Sequence, residues 1–432
     1  MRPRLFLLFR LVYLATPFLS AAAPHERGGP LLPTEDPFYT PPSGYEFKAP
    51  GTILRHRTPP FPIAAFGLVE ANIKASHQIL YRSSDSFNEP IATVTTVLIP
   101  NNADHTKVLS YQVAQDAADP NCSPSFALQQ FSDAGEALAL IMPQLEYLLI
   151  AVALSKGWIV TIPDHLGPKS AFLANTLSGH ATLDGIRATL ASGSFTNVSP
   201  RSTVTMWGYS GGSLASGFAA ELQPDYAPEL NIAGAALGGT VPKISPVIEA
   251  VNKGIFTGFI PAGIQGLASE YPVAQTIISE SLLPNKVADF NKTQSLCLTG
   301  NIVEYIGQDI YSYVKDPGVF TSAPVTALLD ATTWVSPIHD TDELYSYYCA
   351  NGAAVTYTRD LASEHVTLGV TGAPDAFLWL VDRMNGKAVK PGCSKSTELT
   401  SLLDPRAIAV FGVRIFRVLL SFLSFPLGPP SF

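Results

Sequence analysis

The sequence predicts an α/β fold in which a mostly parallel sheet is covered by helices on both faces and carries an inserted helical cap. Strand-like segments at Gln78 to Tyr81 and Ala92 to Ile99 are followed, from Val108 to Leu237, by strands that alternate with helix-compatible segments. Two strands, Ile159 to Ile162 and Val204 to Trp207, are continuously apolar, which is typical of parallel strands buried on both faces. Between Gly238 and Asp316 the alternation stops, and prolines interrupt apolar helical turns. This stretch is the predicted cap.

The composition predicts a globular protein that binds no nucleic acid. The 432 residues are 47% hydrophobic and only 14% charged, which supplies enough apolar surface for a large core. The formal net charge is -8, and no cluster of lysine and arginine could follow a phosphate backbone. Histidines, cysteines and carboxylates show no metal-ligand spacing, and there is no glycine-rich phosphate loop. We therefore expect no metal and no cofactor. The sequence does not indicate an oligomeric state.

Residues 1–23 are predicted to be a secretory signal peptide. Arg2 and Arg4 precede the apolar stretch Leu5 to Leu19, and small residues that suit a cleavage site follow. The alternative is a membrane anchor, which is disfavoured because Arg10 interrupts a stretch already shorter than the ~20 residues that a span needs. We therefore expect a secreted, extracellular protein.

An oxidising compartment gives the cysteines and two sequons a consistent interpretation. The four cysteines contain no C-x-x-C motif, so they predict two disulfides rather than a redox or zinc site. These cysteines are Cys122, Cys297, Cys349 and Cys393. Sequons make Asn197 and Asn291 the predicted glycosylation sites.

The mature chain divides into an arm, a core in two parts, the cap and a tail. Residues 24–62 are rich in proline and lack periodicity, so we expect an extended arm on the surface. The first part of the core spans 63–237, the cap spans 238–316 and the second part of the core spans 317–393. Residues 394–432 form the tail.

The second part of the core is expected to resume the alternation of strands and helices. Strands are predicted at Val325 to Leu329 and at Val355 to Arg359, each followed by a helix. In the tail, the stretch Ala407 to Leu427 is apolar but carries Arg414 and Arg417, which favours docking on the protein body. The alternative for this amphipathic tail is transient contact with a lipid interface.

A nucleophile motif follows one of the buried strands. The segment Gly208 to Gly212 has the pattern G-x-S-x-G, in which a serine occupies a strained turn and small neighbours let strand and helix approach closely. The pattern alone is weak, and the alternative is an ordinary glycine-rich turn. An apolar strand precedes it and a helix-compatible stretch follows, which is the setting that such a turn requires. Ser210 is therefore the predicted nucleophile.

A serine hydroxyl needs a base, and in this fold the base follows the serine in the chain. His339 and His365 satisfy this order, and His365 is favoured because it lies in the loop after the last predicted strand. The alternative is that His365 is a solvated histidine beside Glu364. The backbone N–H of Gly211 is the first expected donor of an oxyanion hole, and the loop at 113–125 should supply the second.

These features and several further segments resemble the fungal secretory lipase family, and the similarity covers nearly the whole mature chain. The resemblance is carried by Ser110-Tyr111-Gln112 with Asp116, Asn121-Cys122-Ser123-Pro124-Ser125, Pro163-Asp164-His165-Leu166-Gly167, Gly208-Tyr209-Ser210-Gly211-Gly212, Tyr348-Cys349-Ala350-Asn351-Gly352-Ala353 and Glu364-His365. It implies an extracellular α/β-hydrolase with a helical lid. It also implies that Asp116 contributes to the oxyanion hole, and that disulfides join Cys122 to Cys297 and Cys349 to Cys393.

The chain departs from the family at the acid of the triad. Where the family has an aspartate four residues before a proline, this sequence has Thr333 before Pro337. Threonine carries no charge to stabilise an imidazolium, and a neutral replacement in a serine triad costs about 10⁴ in kcat. Asp330, expected at the end of a strand, is the predicted substitute, and Asp340 is a weaker one.

Three functions follow from this resemblance and this departure. Hydrolysis of acylglycerols through an acyl-enzyme on Ser210 is favoured, because the cap supplies apolar helices and charges are few. A carboxylesterase that deacylates a secondary metabolite is the enzymatic alternative, and peptide substrates are disfavoured. A catalytically impaired lipid-binding protein is the alternative that Thr333 motivates. The expected partner in each case is a small-molecule or lipid ester.

Overall fold

The structure is a computed structural model that describes residues 28–65, 69–132, 140–332, 341–401, 404 and 406. Eleven strands lie within these residues: β1 (Ile53–Arg57), β2 (Ala64–Ala65), β3 (Val69–Glu70), β4 (Ala75–Ser84), β5 (Pro90–Ile99), β6 (Asp104–Gln112), β7 (Trp158–Pro163), β8 (Thr203–Tyr209), β9 (Ile232–Gly238), β10 (Val355–Asp360) and β11 (Cys393–Glu398). Seven of them form the central sheet, in the order β1-β4-β5-β7-β6-β8-β9.

The central sheet has a parallel half and an antiparallel half. Strands β7, β6, β8 and β9 run parallel to one another, as the apolar pattern predicts. Strands β4 and β5 form a hairpin of ten-residue strands, and β5 pairs antiparallel with β7. The hairpin turn is fixed by Asp85, whose Oδ1 accepts hydrogen bonds from the N–H groups of Phe87 and Glu89, both at 2.8 Å. The candidate site lies on the parallel half.

Helices cover both faces of this sheet. The α-helices of the described residues are α1 (Pro124–Ala127), α2 (Ile141–Ser155), α3 (Asn175–Ala191), α4 (Gly193–Thr196), α5 (Gly211–Tyr226), α6 (Ser245–Val251), α7 (Phe259–Glu270), α8 (Pro272–Ser281), α9 (Val287–Asn291), α10 (Leu298–Tyr305), α11 (Ala323–Ala331), α12 (Thr341–Ala350), α13 (His365–Thr371) and α14 (Ala373–Met384). Helices α2 and α14 bury apolar side chains against one face, and α3 and α5 against the other. The resulting three layers are those of an α/β fold.

The segment predicted as a strand at Val325 to Leu329 is a helix, α11. Pro324 lies in its first turn, where proline is well tolerated because its fixed φ suits a helix start. Val325, Leu328 and Leu329 are three and four residues apart and share one face of this helix, where they join an apolar cluster. The prediction was wrong because a short apolar segment fits either periodicity.

The arm and the tail each contain a strand. Within the arm, β1 pairs antiparallel with β4 at the edge of the central sheet. Strand β10 is present where it was predicted, but it pairs in parallel with β11 in a separate two-stranded sheet. Strand β11 occupies residues assigned to the tail, while Ala407 to Leu427 lies outside the described residues, as does the predicted signal peptide.

The predicted cap segment consists of helices α6 to α10 with short 3-10 turns between them. Apolar residues of α7, including Ala262 and Leu267, pack in one cluster with Leu214 and Phe218 of α5, the helix that follows Ser210. These contacts place α7 near the carboxyl ends of the parallel strands, the end of the sheet at which Ser210 lies. Within the described part of the chain, no helix is long and apolar enough to cross a membrane.

Candidate active site

Ser210 lies in the sharp turn between β8 and α5. Its φ of 51° and ψ of -120° are unfavourable for a residue with a side chain. The turn is possible because its neighbours are glycines: a Cβ on Gly208 would overlap the carbonyl of Gly212, and a Cβ on Gly212 would overlap the carbonyl of Gln112. The N–H of Ser210 donates to the Gly238 carbonyl at 2.9 Å, which ties the turn to the end of β9.

His365 is brought to Ser210 across 155 residues of sequence, and its Nε2 lies 2.9 Å from Ser210 Oγ. His365 is the first residue of α13 rather than a loop residue, and the Glu364 carboxylate caps this helix through the N–H groups of Val366 and Thr367. The Tyr209 hydroxyl donates a hydrogen bond to the His365 carbonyl. The backbone that carries the imidazole is thus fixed on both sides.

The electrostatics of this histidine suit a general base. Desolvation lowers the pKa of His365 below its ordinary value, and the charge of Glu364 opposes this effect. An imidazole with a lowered pKa is neutral at neutral pH, so its Nε2 can accept a proton from the serine hydroxyl.

Asp116 lies directly beside the turn. It is buried in the loop after β6, has a φ of 45°, and its carboxyl occupies the space that a Cβ on Gly211 would need. Burial raises the pKa of Asp116 to about 7, so the carboxyl keeps its proton well above the ordinary range. A protonated carboxyl held in an apolar site can donate a hydrogen bond to an oxyanion. Gly211 and Asp116, the two predicted oxyanion-hole residues, are therefore adjacent.

Buried polar groups hold the loop that carries Asp116. Glu146 accepts from the Ala114 N–H at 2.9 Å, and Ser170 bridges the loop by accepting from Gln115 and donating to the Ala117 carbonyl. At the far end, Asp164 accepts from the Ser125 N–H at 2.8 Å. Glu146 was not among the predicted site residues. A signal for it was present in the sequence, because it is the only charged residue of the helix α2.

Of the three positions considered for the acid of the triad, the structure describes one. Asp330 lies at an exposed position in the last turn of α11, and Thr333 and Asp340 lie outside the described residues. Among the described residues, Ser210 is the hydrogen-bond partner of the His365 ring, and Glu364 is the carboxylate whose charge acts on it. The assignment of Asp330 as the acid stays a prediction, without the strand end that motivated it.

All four cysteines and both predicted glycosylation sites lie among the described residues. Disulfides join Cys122 to Cys297 and Cys349 to Cys393, the pairing that the resemblance implies. Asn197 is exposed, and Asn291 is exposed with its Oδ1 accepting a hydrogen bond from Gln265. In the parts of the chain that the structure describes, no three histidines, cysteines or carboxylates are grouped so that they could hold a metal ion.

Known proteins resemble this chain over most of its length. A family model described as Secretory lipase matches residues 133–322 and 316–392. Lipase A of Arthroderma benhamiae is 48% identical over 427 residues, which cover 94% of this chain and 91% of that protein. Lipase 9 of Candida albicans is 39% identical over 409 residues, which cover 87% of this chain and 89% of that protein.

Solved structures give the same result for the fold. Candida antarctica lipase A in its closed state matches with a TM-score of 0.80 and 29% identity, over 94% of this chain and 100% of that one. The rice cell wall degrading esterase LipA from Xanthomonas oryzae matches with a TM-score of 0.51 and 14% identity, which shows the fold alone. With a serine and a histidine in contact at a strained turn of this fold, the chain belongs to the secretory lipase family and is a carboxylic ester hydrolase.

Proposed function

We propose that this protein is a secreted triacylglycerol lipase that acts through an acyl-enzyme on Ser210. The observation that carries the proposal is the 2.9 Å contact between Ser210 Oγ and His365 Nε2 at a turn held in a strained conformation. A hydroxyl within hydrogen-bond reach of a neutral imidazole is the arrangement that nucleophilic catalysis requires.

In the proposed reaction, Ser210 Oγ attacks the ester carbonyl carbon while His365 Nε2 takes the hydroxyl proton. The carbonyl oxygen becomes an oxyanion, which the N–H of Gly211 and the Asp116 residue stabilise. The tetrahedral intermediate collapses as His365 returns the proton to the leaving alcohol, which leaves an acyl group on Ser210. Water then attacks the acyl-enzyme with His365 again as base. His365 returns this proton to Ser210 Oγ as the bond from Oγ to the acyl carbon breaks, and the fatty acid is released.

The proposed acylglycerol substrate rests on the cap. Helices α6, α7 and α8 bring apolar side chains into one cluster with the helix that starts at the nucleophile, so an acyl chain extending from Ser210 would meet an apolar surface. We propose that this segment is the lid and lines the acyl site. Secretion is supported by the predicted signal peptide and by two disulfides, which persist in an oxidising compartment.

The test is replacement of the nucleophile in the purified secreted protein. Ser210→Ala should lower kcat by more than about 10³-fold with an unchanged thermal midpoint, because the residual rate comes from binding and the oxyanion hole alone. Ser155→Ala, which removes a serine that only bonds the Val152 carbonyl in α2, is the matched control and should keep full activity. Retention of more than about a thousandth of kcat in Ser210→Ala would contradict the proposed nucleophile.

The substrate class is tested with esters of graded chain length. A lipase should prefer long acyl chains and emulsified triacylglycerols, because the apolar cap rewards buried methylenes. A preference for soluble esters of short acids, with no activity on emulsions, would indicate the carboxylesterase instead.

A further inference from the structure

Glu146 carries a buried carboxyl group in the middle of an apolar helix. Both of its oxygens are hydrogen-bonded: Oε1 accepts from the Ala114 N–H and Oε2 from the Tyr111 hydroxyl, each at 2.9 Å. Burial of a carboxyl group costs free energy unless hydrogen bonds compensate for the lost hydration. A methionine or leucine would pack in α2 at no such cost, so packing alone does not account for this residue.

The bond to Ala114 acts on the loop that carries Asp116. Ala114 lies two residues after the end of β6 and two residues before Asp116, whose positive φ is unfavourable for a residue with a side chain. A strained conformation persists only where its surroundings hold it. On the amino-terminal side of Asp116 the backbone is held by Glu146, and on the carboxyl-terminal side by the bond from Ser170 to the Ala117 carbonyl.

The same contacts form a continuous path to the nucleophile. Glu146 holds Ala114, the loop carries Asp116, and the Asp116 carboxyl packs on the backbone of Gly211, next to Ser210. Among the described residues, the ionisable groups that interact with Glu146 are Tyr111, Asp116 and Tyr209.

We infer that Glu146 is a positioning residue that fixes the oxyanion-hole loop, so that Asp116 meets the oxyanion formed at Ser210. This inference rests on the proposed function, and Glu146 itself touches neither the substrate nor the reacting atoms. Its contribution comes from the hydrogen bond that it accepts from Ala114.

The experiment compares two replacements of similar length. Glu146→Gln keeps an acceptor for the Ala114 N–H, whereas Glu146→Met keeps the volume and removes the acceptor. We expect Glu146→Met to lower kcat by about 10²-fold, as for loss of one oxyanion-hole donor, with KM within about threefold of wild type. Glu146→Gln should keep kcat within about tenfold of wild type, because the loop remains held.

Glu221→Met is the matched control. Glu221 also accepts a hydrogen bond from a tyrosine, Tyr348 Oη at 2.6 Å, but it lies far along α5 from the nucleophile. It should lose stability without loss of kcat per active site. Stoichiometric labelling of Ser210 by a fluorophosphonate counts the folded sites in each variant, and the labelling rate should fall for Glu146→Met because the phosphonyl oxygen also occupies the oxyanion hole.

The outcomes separate the inference from the proposed function. If Glu146→Met labels to completion with kcat within about threefold of wild type, the positioning role is wrong, and it is equally wrong if Glu146→Gln loses as much kcat as Glu146→Met. If Ser210→Ala remains active, the proposed function itself fails, whatever the Glu146 variants do. If Glu146→Met does not fold, Glu146→Gln and Tyr111→Phe decide instead. Slow labelling of Ser210 in Glu146→Gln, which keeps the acceptor for the Ala114 N–H, overturns the inference.

Discussion

At the scale of single residues, the site needs a negative charge that balances the His365 imidazolium. When Ser210 attacks, the imidazole becomes a cation, and a carboxylate that orients it is worth several orders of magnitude in kcat. Glu364 is adjacent in sequence, but its oxygens cap α13 by accepting from Val366 and Thr367. We therefore keep Asp330 as the proposed acid, with Thr333 at the position where the family has its aspartate.

Two variants decide this assignment. If Asp330 orients His365, Asp330→Asn should lower kcat by about 10³- to 10⁴-fold, and Thr333→Asp should add little activity. The reason is that the imidazolium already has its counter-charge. Asp316→Asn is the control, since that carboxylate caps a 3-10 turn away from the site. An unaffected Asp330→Asn, together with a large gain in Thr333→Asp, would reassign the acid and show that the natural chain is an impaired enzyme.

Residues whose chemistry is encoded locally could be predicted from the sequence, and residues whose role arises from packing could not. Ser210 is marked by its glycines and by the strand before it, and chain order selects His365. Glu146 meets its partner Ala114 only because α2 packs against the end of β6, a contact between residues 32 apart. No local pattern encodes that contact.

At the scale of elements, the disulfide between Cys122 and Cys297 connects the loop of Asp116 to the predicted lid. Cys122 ends a 3-10 turn in that loop, and Cys297 immediately precedes α10. Both sulfurs are buried in an apolar cluster with Phe126 and Ala127. By contrast, Cys393 of the second disulfide is exposed.

Removal of the two disulfides should therefore have unequal effects. Cys122→Ala with Cys297→Ala should cost roughly 2–5 kcal/mol, because the bridge closes a long loop and its sulfurs fill a packed cluster. It should also lower kcat, since the Asp116 loop loses an anchor. The pair Cys349→Ala and Cys393→Ala is the matched control and should lower Tm less. Equal losses of Tm, with equal kcat in both variants, would mean that the first bridge gives no support to the site.

Hydrophobic periodicity was sufficient to predict some of the strands and helices but not others. The strands of the parallel half are long, apolar and flanked by turn residues, so their positions followed from the sequence. The nine residues of α11 fit a strand as well as a helix, and tertiary packing decides between them. The edge strand β1 has no fully buried residue and carries two arginines and a histidine, so it lacks the apolar pattern that identifies a buried strand.

At the scale of the whole molecule, several carboxyls are buried without a counter-charge. Burial raises the pKa of Asp116 and of Asp164 to about 7, and that of Glu146 to about 8. In the unfolded chain these groups ionise near pH 4. Between these values the folded protein binds more protons than the unfolded chain, so stability falls as pH rises. Buried His165, with its pKa lowered to about 4, acts in the opposite direction, chiefly below pH ~7.

The two effects separate above pH ~7, because an unfolded histidine is then mostly neutral while the buried carboxyls still hold part of their protons. We therefore expect Tm, measured at constant ionic strength, to fall from pH ~7 to pH ~8.5. Asp164→Asn should reduce this slope by up to one proton, since an asparagine can accept from the Ser125 N–H at the same position without titrating. Because the parent chain has the same histidines, the comparison isolates the carboxyl. A Tm that is constant or rises over this range in the parent protein would mean that Asp116, Glu146 and Asp164 are already ionised at pH ~7, and that hydrogen bonds rather than protons compensate for their burial.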